Sequence, residues 1–382
     1  MASMDDRLAR AWLHALYTPG LRPTRLRAAL AESGGDIHAA LDRLAGADDL
    51  GPAARAWLDA PDRRRIDADL AWLDAASCRL LCCTDADFPP LPEPLAQPPA
   101  ALFVRGDAAT LLLPQVAIVG ARGATAAGLA HARRFARAIA EAGFVVTSGL
   151  ADGIDGAAHG ATLAAGTRTV AVVGTGLDRS YPRHHAALAE RIAGQGALVS
   201  EFAPGSPPRA DHFPRRNRLI AGLALGTLVI EAGTRSGSLI TARLAAELGR
   251  EVFALPGSID NPMAAGCHRL IRDGARLVES PQEVVEALLP AVRALGHALA
   301  GRLAATAVED NAATGAVAPS RQIADPAAAR VQAALGHGIA TLDELVARTG
   351  LEVAALAPLL LALELEGRLA PLAGSRYQAL GG

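Results

Sequence analysis

Apolar positions recur at helical spacing through residues 1 to about 75: Leu8, Trp12 and Leu16, then Leu26 and Leu30, then Ile37, Leu41 and Leu44. That period predicts amphipathic helices forming a small accessory bundle. From Arg79 the pattern changes to short apolar runs closed by glycine or a polar turn, at 79–83, 115–120, 144–149, 169–174, 197–201, 227–231 and 251–256. Alanine-rich helical stretches lie between several of them, at 130–142, 156–165, 185–193 and 238–248. Strand alternating with helix at this spacing predicts an α/β fold with a doubly wound parallel sheet. In such a sheet ligands bind outside the carboxyl ends of the strands.

Residues 296–326 lose this periodicity and gain Ala, Gly and Thr, which reads as a linker. Helices at 327–335, 341–348 and 352–366, followed by strands at 368–372 and 376–380, give a winged-helix pattern. Its third helix, EVAALAPLLLALELE, carries three acids, no base and Pro358. That charge suits protein contact or packing better than a DNA groove. The chain therefore divides into 1–75, 76–295, 296–326 and 327–382.

Composition narrows the function. A net charge of −2 excludes a globally basic nucleic-acid coat and leaves local patches. There is no lysine, so every fixed side-chain cation is arginine, and aromatics make up only 3% of 382 residues. Cys78, Cys82, Cys83 and Cys267 form no CxxC, and no His/Cys spacing reads as a zinc site, so no metal and no cofactor are expected. The N-terminal stretch lacks a signal-like apolar region, and no run of about 18 apolar residues is present. A soluble cytoplasmic chain is expected.

Five loops at strand carboxyl ends could carry chemistry. The first holds Gly120, Arg122 and Thr125 at a helix start, a phosphate seat without GxGxxG spacing; the alternative is a tight turn around a buried arginine. The second runs from Ser148 and Gly149 through Gly153 to Asp155 and His159. The i, i+4 Asp/His pair reads as an acid/base couple or, better, as a pin for the loop. The third contains Gly174, then Tyr181 as a stacking ring and Arg183 as a phosphate contact, or else a structural Tyr-Pro turn. The fourth follows Glu201: between 205 and 220, Arg209, Arg215, Arg216 and Arg218 stand against one acid, Asp211, with Phe213 among them. Cations for phosphates beside a ring for a base suit a single-stranded nucleic-acid groove, and a solvated basic loop has the same composition. The fifth runs from Glu231 to Thr234, Ser236, Gly237 and Ser238, an anion turn that also caps a helix. No activated nucleophile is visible.

The ordered motifs VAIVGARGAT, VVTSGLADGIDGAAHGATL, TVAVVGTGLDRSYP, GALVSEFAPG, HFPRRNRLIAGL, VIEAGTRSGSLITA, EVFALPG and LIRDGA closely resemble the DNA-processing protein A (DprA/Smf) family over roughly residues 76–290. The resemblance implies a Rossmann-like core, a SAM/HhH-like helical domain before it and a winged helix after it. The helix-hairpin-helix likeness rests on the turn Thr18–Pro23, where Arg22 stands in place of the second glycine. It also implies a non-catalytic homodimer that binds single-stranded DNA and loads RecA recombinase during natural transformation. By the same resemblance, Arg122 and Arg183 hold phosphates. Phe213, Arg215, Arg216 and Asn217 form the groove, joined by Thr234, Ser236, Gly237 and Ser238. Asp155, His159, Glu201 and Glu231 then structure the loops. Cys267-His268 departs from the family's small polar residue and Asn, and lysines of some relatives are arginines here. The competing reading is a nucleotide phosphoribohydrolase on a related sheet; its PGGxGTxxE loop has no counterpart in EAGTRSGSLITA.

Overall fold

The computed structural model describes residues 5–75, 77–313, 326–335, 339–351, 356, 359–360, 369–372 and 376–379. They fall into two units, Met1–Leu303 and Ala304–Gly382. The first begins with five helices: α1 (Asp6–Leu16), α2 (Pro23–Glu32), α3 (Ile37–Ala45), α4 (Pro52–Asp59) and α5 (Arg63–Leu73). Their starts follow local rules. Pro23 and Pro52 occupy first positions, where no amide donor is needed, and Asp36 and Asp62 cap α3 and α5 through their carboxylates. The buried stripe of α1 is Ala9, Trp12 and Leu13; Leu8 is exposed. Trp12, Leu26, Leu44 and Leu70 join Phe103 and Leu198 of the sheet in one hydrophobic cluster. Residues 1–75 thus pack with the core that follows them.

The sheet has nine strands: β1 (Cys78–Cys82), β2 (Ala101–Gly106), β3 (Gln115–Val119), β4 (Val145–Ser148), β5 (Thr169–Val172), β6 (Ala197–Ser200), β7 (Gly226–Val229), β8 (Glu251–Ala254) and β9 (Arg276–Leu277). Their spatial order is β1-β2-β6-β5-β4-β3-β7-β8-β9. From β6 to β9 all pairs are parallel, whereas β1 pairs β2 and β2 pairs β6 antiparallel. The first apolar run is therefore an antiparallel edge. Next to it lies β2, a strand hidden in the sequence behind a proline-rich stretch.

Along β3, Val116 and Ile118 face one side and Ala117 and Val119 the other. Helices α6 (Ala126–Glu141), α7 (Ile154–Ala164) and α12 (Pro281–Ala313) cover the first side through Phe135, Ala158 and Leu288. Helices α9 (His212–Leu223) and α10 (Ser238–Glu247) cover the second through Leu219, Leu223 and Ala245. Each large side chain so buried contributes roughly 1.5–3 kcal/mol. Helices α8 (Ala186–Gln195) and α11 (Ala265–Arg272) complete the layers.

Two sequence expectations change here. The arginine-rich stretch is not a loop: apart from Arg209 its cations sit on α9, whose buried face repeats at His212, Arg216, Leu219, Ile220 and Leu223. The linker expected from residue 296 is helix up to Ala313, because the seven alanines in 296–313 favour helix over coil. The stretch Pro281–Leu303 of α12 is long and apolar enough, at mean hydropathy 1.3, to cross a membrane by length and composition. Here its Val284, Leu288 and Leu295 sit in the sheet-face cluster, and Arg302 donates to the carbonyls of Phe88 and Ala86.

The second unit contains α13 (Pro326–Leu335), β10 (Ile339–Thr341), α14 (Leu342–Thr349), β11 (Leu369–Leu372) and β12 (Arg376–Ala379). Its antiparallel sheet runs β10-β12-β11, and Val331, Leu335, Leu345 and Leu369 form its core. A capping box between Thr341 and Glu344 starts α14, and Gly350 ends it in the left-handed region. Most of the expected helix at 352–366, and residues 314–325, lie outside the described residues.

Candidate nucleic-acid interface

The strand order reverses at β3. Its successor β4 pairs on one side, β7 on the other, and the chain leaves β3 and β7 toward opposite faces. A crevice must open between the two departing loops. It is a cleft of about 910 Å³ lined by residues 120–123 after β3, by Phe213, Arg216 and Asn217 of α9, and by residues 233–238 after β7.

At one end of this cleft a cation and two rings meet. Arg122 is exposed, and its guanidinium carbon lies 5.6 Å from the centroid of Phe213. The Phe213 ring is 5.4 Å from Tyr181, which is 42% exposed and precedes a cis peptide bond to Pro182. The backbone makes room for these groups. At Gly174 a Cβ would come within 3.2 Å of the Phe213 ring, and at Gly153 (φ +76°) it would sit 2.2 Å from the Ala121 carbonyl. Arg183 is exposed on the 3₁₀ turn Arg183–His185.

On the other wall Thr234, Arg235 and Gly237 are exposed, and the hydroxyls of Ser236 and Ser238 are 2.6 Å apart. Asn217 ties α9 to this wall by donating to the Gly237 carbonyl (3.4 Å). Arg122, Arg183 and Arg235 are exposed, and among the described residues no carboxylate pairs with them; Arg215, expected in this groove, is also exposed but lines a different cleft across α9. Arg235 escaped the sequence reading because the neighbouring hydroxyls and glycines explained its turn without it.

Several expected contacts lie elsewhere. Arg216 is only 5% exposed, and its Nη1 donates to the carbonyls of Gly149 (2.6 Å) and Val172. Burial lowers its pKa to about 10, against the pull of Asp155, so it stays charged at neutral pH. It buttresses the loop ends from beneath the cleft. Ser148 is buried and donates to the Ile118 carbonyl. Gly149 is buried as well: its amide donates to Asp155, and a Cβ there would strike Arg216.

The phosphate seat proposed for Thr125 is filled by the protein itself. The carboxylate of Glu231 accepts from the Thr125 amide (2.8 Å) and hydroxyl (2.6 Å) at the start of α6, and from Asn261 (3.2 Å). Gly128 belongs to the same arrangement, since a Cβ there would lie 2.3 Å from Glu231 Oε2. Gly120 lines the cleft with its backbone alone, since a Cβ there would lie 2.5 Å from Ile154.

Asp155 accepts from the amides of Gly149 and Ala151; burial raises its pKa, opposed by Arg216 and these bonds. His159 turns away to Thr169, whose hydroxyl donates in turn to the Val146 carbonyl. Burial, then His185 and Arg216, hold His159 neutral with a pKa of about 3. The two residues do not form an acid/base couple. Glu201 pairs with Arg218, both nearly buried, which removes Arg218 from the groove.

The fold gathers ligand-type groups that spacing did not reveal: Asp152, His184 and His185 lie within 4.8 Å of one another, with His184 Nε2 2.6 Å from Asp152 Oδ1. All four cysteines are free thiols. Cys267 is buried, its pKa pushed up to about 12, and His268 contacts the Gly257 carbonyl, so this departure from the family pattern is accommodated by packing.

A doubly wound sheet with an arginine-and-ring cleft at its switch point defines a Rossmann-like α/β protein with a winged-helix unit. Residues 79–289 match the DNA recombination-mediator protein A family and residues 315–375 the DprA winged helix domain. The first match alone covers more than half of the chain, and the chain belongs to that family. Among its relatives, protein Smf of Escherichia coli is 48% identical over 227 residues, 59% of this chain and 61% of that protein. The chain thus matches less than two thirds of that relative's length. DNA processing protein A of Streptococcus pneumoniae superposes with a TM-score of 0.65 at 34% identity, covering 75% of this chain and 98% of that one. DNA processing protein A from Helicobacter pylori, whose structure concerns its single-stranded DNA binding mode, gives a TM-score of 0.50 at 31% identity, over 53% and 93% of the two chains.

Proposed function

We propose that this chain is a non-catalytic single-stranded DNA-binding protein of DNA processing and natural transformation. The observation that carries this reading is the juxtaposition of Arg122, Phe213 and Tyr181 at the switch-point cleft. A cation beside two accessible rings provides for phosphate and base together, without reading sequence. Arg122, Arg183 and Arg235 hold the backbone, and the hydroxyls and amides of residues 234–238 supplement them. Bases stack on Phe213 and Tyr181. Family membership supports the finer parts of the reading: the chain acts in the cytoplasm as a homodimer, shields the incoming strand and loads RecA recombinase onto it. Arg216, Ser148, Gly149, Thr125 and Glu231 serve this site by shaping it.

A mobility shift with single- and double-stranded oligonucleotides, repeated with RecA present, tests the proposal. Preference for the single strand, and a ternary species or faster RecA filament formation, are the expected results. Equal binding to duplex would overturn the first part, and unchanged RecA assembly the second.

A further inference from the structure

A second cleft, of about 840 Å³, lies between helices α1, α2 and α5 and the loop after β6. Helix α9 separates it from the groove: Phe213 and Asn217 line the groove, His212 and Arg215 this cleft. The strand-binding reading makes no use of it.

Three features mark it as built for a ligand. Asp69 lines the cleft, is only 5% exposed, and its Oδ2 has no hydrogen-bond partner; the buried Tyr17 hydroxyl has none either. Buried polar atoms are nearly always paired, so a carboxyl on the wall of a cavity with an oxygen left unpaired has an acceptor to offer a partner from outside the chain. Burial, then Asp178, push the Asp69 pKa up to about 7. Next, Arg22, Arg65, Arg209 and Arg215 all line the cleft, all exposed, and among the described residues no carboxylate pairs with any of them. Lastly, two guanidinium planes lie against rings. Arg65 is 4.0 Å from the Tyr17 centroid, and Arg215 is 5.5 Å from Phe202, which is itself stacked on His212. Guanidinium planes are surfaces on which bases stack.

We propose that this cleft binds a guanine nucleotide, with Asp69 accepting from the base and Arg209 and Arg215 holding its phosphate. The ionised carboxylate is acceptor-only. Guanine presents adjacent N1–H and N2–H donors on one edge and matches it twice. Thymine places a carbonyl on each side of its one donor, and adenine and cytosine set an acceptor beside their amino group. The occupant is either a free nucleotide or a guanine within a bound strand that crosses the start of α9. Only the second source rests on strand binding in the groove.

Equilibrium dialysis of the full chain with deoxyguanosine monophosphate at pH 8, against deoxythymidine monophosphate, tests this directly. Saturable binding is expected, with preference for guanine of at least about tenfold, as sites built around a hydrogen-bonding edge show. Asp69→Asn should abolish the preference while leaving oligo-dT binding intact. It is isosteric and removes an unpaired charge. Arg209→Ala, in an exposed loop, should weaken binding of the guanine nucleotide and keeps the test open should Asp69→Asn not fold. Tighter binding of an oligo-dT carrying one guanine assigns the site to strand DNA. Equal binding of both strands, beside saturable mononucleotide binding, assigns it to the free nucleotide. Absent saturation, or equal affinity for both mononucleotides, would overturn the proposal, whatever the result with oligo-dT.

Discussion

The guanidinium of Arg122 lies 5.6 Å from the centre of the Phe213 ring, although one residue leaves β3 and the other opens α9. Cation and ring thus meet from two sides of the switch point, and they are separable by experiment. Arg122→Ala should weaken oligo-dT binding and reduce the salt slope by about 0.7, the share of one single-strand phosphate. Phe213→Ala should weaken it by about 1–3 kcal/mol with the slope kept, because stacking releases no counterion. Fluorescence anisotropy across a salt series reads both, and undiminished affinity of both variants at moderate salt would remove this site from consideration.

Arg216 offers the opposite signature. It is buried, donates to two backbone carbonyls and faces the field of Asp155. Arg216→Ala should lower stability by about 3–5 kcal/mol, since it strips a buried carboxylate of its compensating charge. The salt slope of the protein that remains folded should not change. Urea unfolding followed by the same binding series checks this; a lower slope with stability intact would return Arg216 to the phosphate contacts.

These residues also show what sequence can and cannot disclose. Alternating runs placed the strands and their loops, so Arg122, Phe213 and the turn at 234–238 were legible as neighbours along one sheet edge. The side-chain directions were not. Arg216 carries the charge expected of a ligand site, yet it is turned inward, since α9 points every fourth residue at the sheet. Charge type says what a group can bind. It does not say whether the protein has already supplied the partner. Helix α9 itself was obscured because two of its buried positions, His212 and Arg216, are polar.

Glu231 makes the consequence measurable. Its carboxylate holds both donors of Thr125 at the positive end of α6 and a donor from Asn261. Glu231→Gln keeps the shape, removes the charge and turns one acceptor into a donor facing donors. A loss of about 1–3 kcal/mol in thermal or urea unfolding is expected. Gly128→Ala should be destabilising as well, because its Cβ has no room beside that carboxylate.

Stability should also fall away on both sides of a maximum in pH, through two buried groups of opposite sign. His159 has a folded pKa of about 3 against an ordinary 6.5. The unfolded chain gains this proton as pH drops below 6.5 while the folded chain stays neutral, so this contribution is present above 6.5 and lost progressively toward 3. Asp69 runs the other way, with a folded pKa of about 7 against an ordinary 3.8. The folded chain keeps a proton that the unfolded chain has released, so this contribution is whole below 3.8 and lost as pH rises to about 7. Asp69→Asn cannot ionise. Denaturation midpoints measured from about pH 4 to about pH 8 should therefore show the variant matching the parent at the acid end and exceeding it at the alkaline end. A parallel offset at every pH would mean that the Asp69 carboxyl is not held protonated by its surroundings, and would place the alkaline loss on another group.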